Sequence, residues 1–357
     1  MKKAKVFLGM SGGVDSSVSA ALLVRAGYEV VGVFIKVWEP EGVPCTWRAE
    51  RRDAMRVAAE LDIPLITLDL SQEYKQGVID YLVAEYEAGR TPNPDVMCNK
   101  QVKFGAFYNW AMKKGADYVA TGHYAQIIDG KFARAKDDNK DQTYFLWTLK
   151  PEQLSHILFP IGKYTKPEVR KLAEKFKLPN AEKRDSQGLC FVGKLDFKDF
   201  LQDFIKAKPG EVVDEAGKVI GHHDGAVFYT IGERHGFDVR SLTSNTEPLY
   251  VVARDIQNNR LTVAPKIKLG KKENLAQEIV LEKVNWVLGQ EPETKKEYQA
   301  RIRHRGQLYP CVLEPHLSST VVKFERDFPE AIAPGQSLVL YDRDLCLGGG
   351  IMAEIFA

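Results

Sequence analysis

The stretch Ser11-Gly12-Gly13-Val14-Asp15-Ser16-Ser17 decides how this chain is read. It follows an apolar run from Ala4 to Met10, fit for a buried strand, and opens an amphipathic run from Ser16 to Ala26, fit for a helix. Two adjacent glycines allow backbone conformations closed to other residues, so successive N–H groups can converge on an anion at the positive end of the helix. A nucleotide polyphosphate suits such a seat. Neither the Lys-Ser/Thr pair of a Walker loop nor the G-x-G-x-x-G of a dinucleotide site stands here.

The loop instead resembles the pyrophosphate-binding loop of the ATP pyrophosphatase families, Ser-Gly-Gly-x-Asp-Ser, which implies cleavage of ATP to AMP and pyrophosphate. The flanking pattern agrees with an α/β fold. Strand candidates at Glu29 to Lys36, Leu65 to Leu70 and Asp117 to Thr121 alternate with helix candidates at Arg51 to Leu61, Tyr74 to Glu87 and Val102 to Lys114. That rhythm predicts a parallel sheet, whose ligands sit at the carboxyl ends of strands. The glycine loop and Gly122-His123 both occupy such ends and could line one crevice.

Helical periodicity continues through Lys166 to Lys177 and Asp196 to Ile205, and the texture changes at Lys208-Pro209-Gly210. Short β-rich runs follow, with turns at 215–218 and 257–260 and strands at 248–253 and 261–264. After the lysine-rich stretch 266–272 come strand candidates at Tyr298 to Arg305, Cys311 to Glu314, Thr320 to Phe324 and Ser337 to Leu340. The expected division is a catalytic unit 1–205, a small β-rich unit 206–272 and a C-terminal β-barrel 273–357.

With 357 residues, 44% of them hydrophobic and 27% charged, the chain can bury several cores. No apolar run approaches the roughly 18 residues of a membrane span, so a cytoplasmic protein with no membrane partner is expected. A net charge of +2 sets no strong overall field, so any nucleic-acid surface must be a local patch. The five cysteines are widely spaced, with no C-x-x-C pair. No zinc site or other metal-ligand set is expected, and Cys311 and Cys346, in apolar stretches, read as buried small hydrophobes.

Cys98 and Cys190 stand in more telling surroundings. Cys98 lies in the proline-rich stretch 91–99, read as a stiff loop just before the helix at Val102, where the helix dipole would favour a thiolate. A packed cysteine is the other reading. Cys190 follows Lys183, Arg184 and a glycine turn; it could be activated or carry a persulfide, or be buried.

Read in order, the glycine loop, Asn93-Pro94-Asp95-Val96-Met97-Cys98-Asn99, Ala120 to Tyr124, Lys140 to Leu146, Asp185 to Gly193 and Cys346 to Ile351 resemble one family over essentially the whole chain: the bacterial tRNA-specific 2-thiouridylases. The resemblance implies ATP-dependent adenylation of the C2 oxygen of the wobble uridine of tRNA, followed by sulfur transfer from a protein persulfide. ATP with Mg²⁺ is then the cosubstrate, and tRNA and a persulfide-donating protein are the partners. It implies that Cys190 receives the persulfide and that Cys98 releases its terminal sulfur by forming a disulfide with it. It further implies that Gly9, Met10, Ser11, Gly12, Gly13, Val14, Asp15, Ser16, Ile35 and Gly122 meet ATP, and that Asn93, Pro94 and Asp95 meet the target base. Asp95 is then a candidate for proton transfer, or else a turn-stabilising aspartate. His123, Lys140, Asp141, Gln142, Arg303, His304 and Gln336 match tRNA-contacting positions. Arg301, Arg303 and Arg305 alternate along a strand candidate, which would space them about 6.7 Å apart on one face. Ile35 and His304 depart from the family's usual Met and Tyr; the second change could make tRNA binding more sensitive to pH.

Overall fold

The computed structural model describes residues 3–40, 47–185, 197–239, 247–265, 278–315, 319–324 and 332–356. Its first sheet is built from β1 (Lys5–Gly9), β2 (Glu29–Lys36), β3 (Leu65–Asp69), β4 (Tyr118–Ala120) and β7 (Ile157–Leu158). All neighbours are parallel, in the order β3-β2-β1-β4-β7. The chain leaves β1 through α1 (Val14–Arg25) towards β2 and returns to the other side of β1 at β4, so the strand order reverses there and opens a crevice. Alternate residues of the strands feed two cores. Phe7, Val31, Val33 and Ile35 pack on one face; Val6, Leu8, Val30 and Phe34 pack on the other, with α1 and α2 (Trp47–Glu60).

Between β4 and β7 lies a hairpin, β5 (Gln126–Ile128) and β6 (Lys131–Ala133), that does not join this sheet. It extends the sheet of the C-terminal barrel instead, where Ala133 pairs with Leu345. The barrel strands are β13 (Glu278–Trp286), β14 (Glu297–Arg301), β15 (Tyr309–Glu314), β16 (Thr320–Phe324), β17 (Ser337–Asp342) and β18 (Leu345–Phe356). β13 pairs with both β16 and β18, which closes the ring. The Gly348-Gly349-Gly350 run of β18 serves that closure: a Cβ on Gly348 would fall 2.1 Å from the Asn285 carbonyl oxygen, and one on Gly349 2.1 Å from that of Leu338. Cys311 and Cys346 are buried, as their apolar settings predict.

The middle sheet runs β10-β9-β8-β12-β11, from β8 (Gly210–Val213), β9 (Val219–His223), β10 (Phe237–Val239), β11 (Leu249–Asp255) and β12 (Arg260–Pro265). Its inward side chains Val212, Val251 and Leu261 share one core with the first sheet's Phe7 and Val33. Among the described residues no helix is long and apolar enough to cross a membrane.

Candidate active site

Gly12 sits at φ +75°, and a Cβ there would lie 2.2 Å from the Glu50 carbonyl oxygen of α2, so only glycine fits. Gly13 is the extended N-cap of α1 and offers no side-chain cap. The first N–H groups of a 12-residue helix are thereby left to an anion, with the helix dipole behind them. Ser16 and Ser17 point back instead, donating to the Gly13 carbonyl at 3.0 and 2.8 Å. Ser11 Oγ lies 3.4 Å from Ser16 Oγ. Met10 and Val14 are packed into the α1 face of the sheet and Ile35 into the opposite face.

A charge network closes the mouth of this loop. The Asp15 carboxylate accepts from Lys166 Nζ at 2.7 and 2.9 Å and from the Tyr124 hydroxyl at 2.9 Å. Lys166 also reaches Asp185 at 2.8 Å, and Asp185 takes Lys140 at 2.9 Å together with Arg170. Burial alone would raise the Asp185 carboxyl, but the hydrogen bonds from Lys166 and Lys140 outweigh it and hold the group well below the ordinary carboxylate range. The Gly12 carbonyl accepts from Asn180 Nδ2 at 2.9 Å and from Lys183 Nζ at 3.2 Å. Segment 180–185, which precedes Cys190 in the chain, is therefore tied to the glycine turn through Asn180 and Lys183. Cys190 itself lies outside the described residues.

The end of β4 meets the same turn. A Cβ on Gly122 would lie 2.7 Å from the Ser16 nitrogen, so glycine lets the two strand ends share one crevice, as the parallel-sheet reading expects. Gly122→Ala should therefore push α1 off the strand end, at a cost of about 1–3 kcal/mol. The expected result is a lowered melting temperature and a loss of ATP-dependent pyrophosphate release that is larger than the loss of RNA binding. Beside Gly122, His123 is 7% exposed, its ring against Phe104 and Phe159. Burial, and then Lys103 at 3.3 Å from Nε2, keep it neutral. The Lys103 ammonium donates to Nε2, so Nδ1–H donates to Thr121 Oγ1 at 2.7 Å.

Lys103 belongs to the helical run that carries Cys98, and here the structure corrects the sequence reading. The run opens at Pro94, not Val102: Pro94–Met97 is α-helical, Cys98–Phe107 π-wound and Tyr108–Lys113 α-helical again. Asn93 caps it, accepting from the N–H groups of Asp95 and Val96 at 3.1 and 3.2 Å, and Pro94 occupies the first position, where its missing N–H costs nothing. Cys98 is thus one turn inside a helix and 1% exposed, where the dipole's pull has largely faded. Asp95 is half-buried in the first turn, and its carbonyl accepts from Asn99 Nδ2 at 3.0 Å.

The barrel docks on this helix start. Asn93 Nδ2 donates to Gln336 Oε1 at 3.5 Å, Gln336 Nε2 to the Pro92 carbonyl at 3.4 Å, and Thr91 N–H to the Pro334 carbonyl at 2.8 Å. Two residues expected at tRNA, 243 positions apart, are so brought together. The arginine row is not: β14 ends at Arg301, and Arg305 has φ +60°. Arg301 is buried and donates to Asp141 at 2.9 Å; only Arg303 and Arg305 are exposed. Asp141 is 1% exposed, and it also accepts from Thr143 Oγ1 at 2.9 Å and from the Ala135 N–H at 3.2 Å. Its carboxylate, expected at tRNA, is engaged in a structural ion pair. Its neighbours Lys140 and Gln142 stitch too, to Asp185 and to the Tyr124 N–H.

Three family models match the chain: the tRNA methyl transferase HUP domain over residues 4–194, the tRNA methyl transferase PRC-barrel domain over 198–265 and the aminomethyltransferase beta-barrel domain over 276–352. The tRNA-specific 2-thiouridylase MnmA of Legionella pneumophila (strain Lens) is 44% identical over 99% of both chains. That of Halalkalibacterium halodurans is 42% identical over 99% of this chain and 96% of its own, and that of Pseudomonas fluorescens (strain SBW25) 43% over 98% and 95%. The chain belongs to the tRNA-specific 2-thiouridylase family.

In this 2-thiouridylase Lys166 and Asn180 reach the glycine turn from distant elements that no local motif marks, and Tyr124, which ends the Ala120 to Tyr124 motif, reaches Asp15 without having been singled out in the sequence. Among the described residues no three His, Cys, Asp or Glu side chains gather as a metal site. His304 lies against Phe145, ring centroids 4.4 Å apart. Burial, followed by Arg305 and Arg301, lowers its pKa to about 4, so it is neutral across the physiological range and adds no charge switch to RNA binding there. An unfolded histidine titrates at 6.5, so between that pH and about 4 the unfolded chain binds the proton and the folded chain does not. Stability contributed by the neutral ring is full above the upper value and is lost as pH falls through the window. His304→Phe should flatten that acid limb in melting curves taken from pH 7 to 4; an unchanged limb would assign the slope to other groups.

Proposed function

We propose that the crevice binds ATP with Mg²⁺ as its counter-ion and that the enzyme is a cytoplasmic tRNA 2-thiouridylase acting on the wobble uridine. The observation that carries this reading is the uncapped start of α1 beside Gly122, with the segment leading to Cys190 hung from Gly12 and the helix of Cys98 held alongside through Lys103 and His123. The C2 oxygen of the base attacks the α-phosphorus and pyrophosphate departs, its charge met by the α1 N–H groups and by the lysines around Asp15 and Asp185. A persulfide on Cys190, delivered by a donor protein, attacks C2 with its terminal sulfur, and AMP leaves. The Cys98 thiolate then attacks the inner sulfur of Cys190; the S–S bond to the base-bound sulfur breaks, leaving 2-thiouridine and a Cys98–Cys190 disulfide. A thiol reductant must restore both thiols. Asn93 to Asp95 present the base, with Asp95 available for proton transfer. The units expected at 1–205, 206–272 and 273–357 divide this work into catalysis, support and RNA binding.

The test is incubation with unmodified tRNA, ATP-Mg²⁺ and a persulfide source, followed by digestion and mass spectrometry. ATP-dependent 2-thiouridine is the expected product. A methylated uridine in its place, as the family-model descriptions would have it, overturns the reading.

A further inference from the structure

A cleft of about 280 Å³ opens where the start of the Cys98 helix faces the barrel, lined among others by Tyr81, Asn93, Lys100, Gln101, Trp147 and Lys283. It lies on the side of the helix that Cys98 does not line. Two features set it apart from a packing gap. Lys100 has no carboxylate partner among the described residues, and the charges that act on it, Lys283 and Lys150, repel it. Lys283 is delivered by an irregularity in β13, with φ +50° and a register shift against β18 between Glu282 and Asn285. Such bulges re-aim a side chain at a cost in local strain. Among the described residues Lys283 pairs with Glu85 at 3.7 Å, a carboxylate that also accepts from Arg90 through its other oxygen. Lys283 also lies 5.5 Å above the Tyr81 ring. One lysine without an acid partner and a second that shares its carboxylate with Arg90, beside an aromatic ring and in a volume at the small end of ligand pockets, suit a single nucleotide.

We propose that this cleft is a subsite for a nucleotide adjoining the target uridine, its phosphate held by Lys100 and Lys283 and its base against Tyr81. The inference rests on the reading above that Asn93 presents the target base, because Asn93 forms one edge of the cleft. Single-stranded RNA is recognised by splayed bases on aromatic rings and by cations on the backbone, and a neighbouring nucleotide held here would fix the register of the uridine at the crevice.

The experiment measures affinity, without ATP, of the full chain for a synthetic anticodon stem-loop bearing the wobble uridine. Three RNAs are compared: unmodified, and with a neutral methylphosphonate replacing the phosphate on either side of that uridine. Lys100→Ala and Lys283→Ala should each weaken binding about tenfold and lower the salt slope by about one, with Lys100→Arg retaining most of the affinity. One methylphosphonate should weaken the wild type by a similar factor and Lys100→Ala no further. Independent, multiplying effects, or unchanged affinity in both lysine variants, overturn the subsite. So does binding of free uridine monophosphate that the lysine variants lose while keeping stem-loop affinity, which would mark a small-molecule site. Thiolation of the unmodified stem-loop by the wild type is read in parallel. Its failure beside intact non-additivity would remove the thiolation reading and leave the RNA subsite standing.

Discussion

Cys98→Ser, mixed with ATP, unmodified tRNA and a persulfide source, should release pyrophosphate and yield no 2-thiouridine. The replacement is nearly isosteric in a site only 1% exposed, so the helix from Pro94 should stand. A serine hydroxyl cannot attack the inner sulfur of a persulfide to form a disulfide, and the expected loss of thiolation is about a thousandfold or more. Cys311→Ser supplies the control. That thiol is equally buried, inside the barrel, so the variant should lose stability by leaving a hydroxyl among apolar neighbours while its thiolation per folded molecule is retained. Equal thiolation by Cys98→Ser and wild type would remove Cys98 from the reaction. Its burial adds a second expectation: alkylation of Cys98 in the resting protein should be slow and should quicken when tRNA and ATP are bound, because the proposed disulfide with Cys190 requires the thiol to be uncovered.

The largest stability effect is expected at Asp141. Removing its carboxylate by Asp141→Ala leaves the Arg301 guanidinium buried without its partner, a change that costs about 3–5 kcal/mol when buried pairs are broken from one side. Arg301→Ala should cost a similar amount. The double variant Asp141→Ala/Arg301→Met should recover much of the loss, since no stranded charge remains; thermal melts of the three proteins read this directly. Additive losses in the double variant would mean that packing, rather than the pair, sets the cost. The pair joins the segment after β6 to the last residue of β14, so its loss should also loosen the barrel from the first sheet.

Where local chemistry decides structure, the sequence was legible. β2 was placed at Glu29 to Lys36, the bounds observed, because an apolar run between a glycine turn and a helix leaves little choice. Gly12 and Gly122 mark close approaches that leave no room for a Cβ, in the turn and at the strand end where the sequence placed them. The misreadings have physical causes. Prolines 92 and 94 were taken as breakers of regular structure, although Pro at the first helical position after an Asn cap is a start signal. The β5–β6 hairpin was passed over despite Asp129-Gly130, whose φ values of 50° and 75° are those of a tight hairpin turn. Arg301, Arg303 and Arg305 alternate as a strand face would, but alternation says nothing about where a strand ends or which side is buried. That Arg301 answers an aspartate 160 residues earlier is a fact of tertiary packing, carried by no local pattern.

The β5–β6 hairpin also sets an order of assembly. During synthesis it leaves the ribosome roughly two hundred residues ahead of β18, which at about 5–20 residues per second is a wait of about 10–40 s with one edge unpaired. The first half of the nascent chain thus carries a graft point for the last strand made, and exchanging barrels between relatives at the connection near residue 270 would part that graft from its scion. A working chimera has to bring residues 126–133 along with the donor barrel.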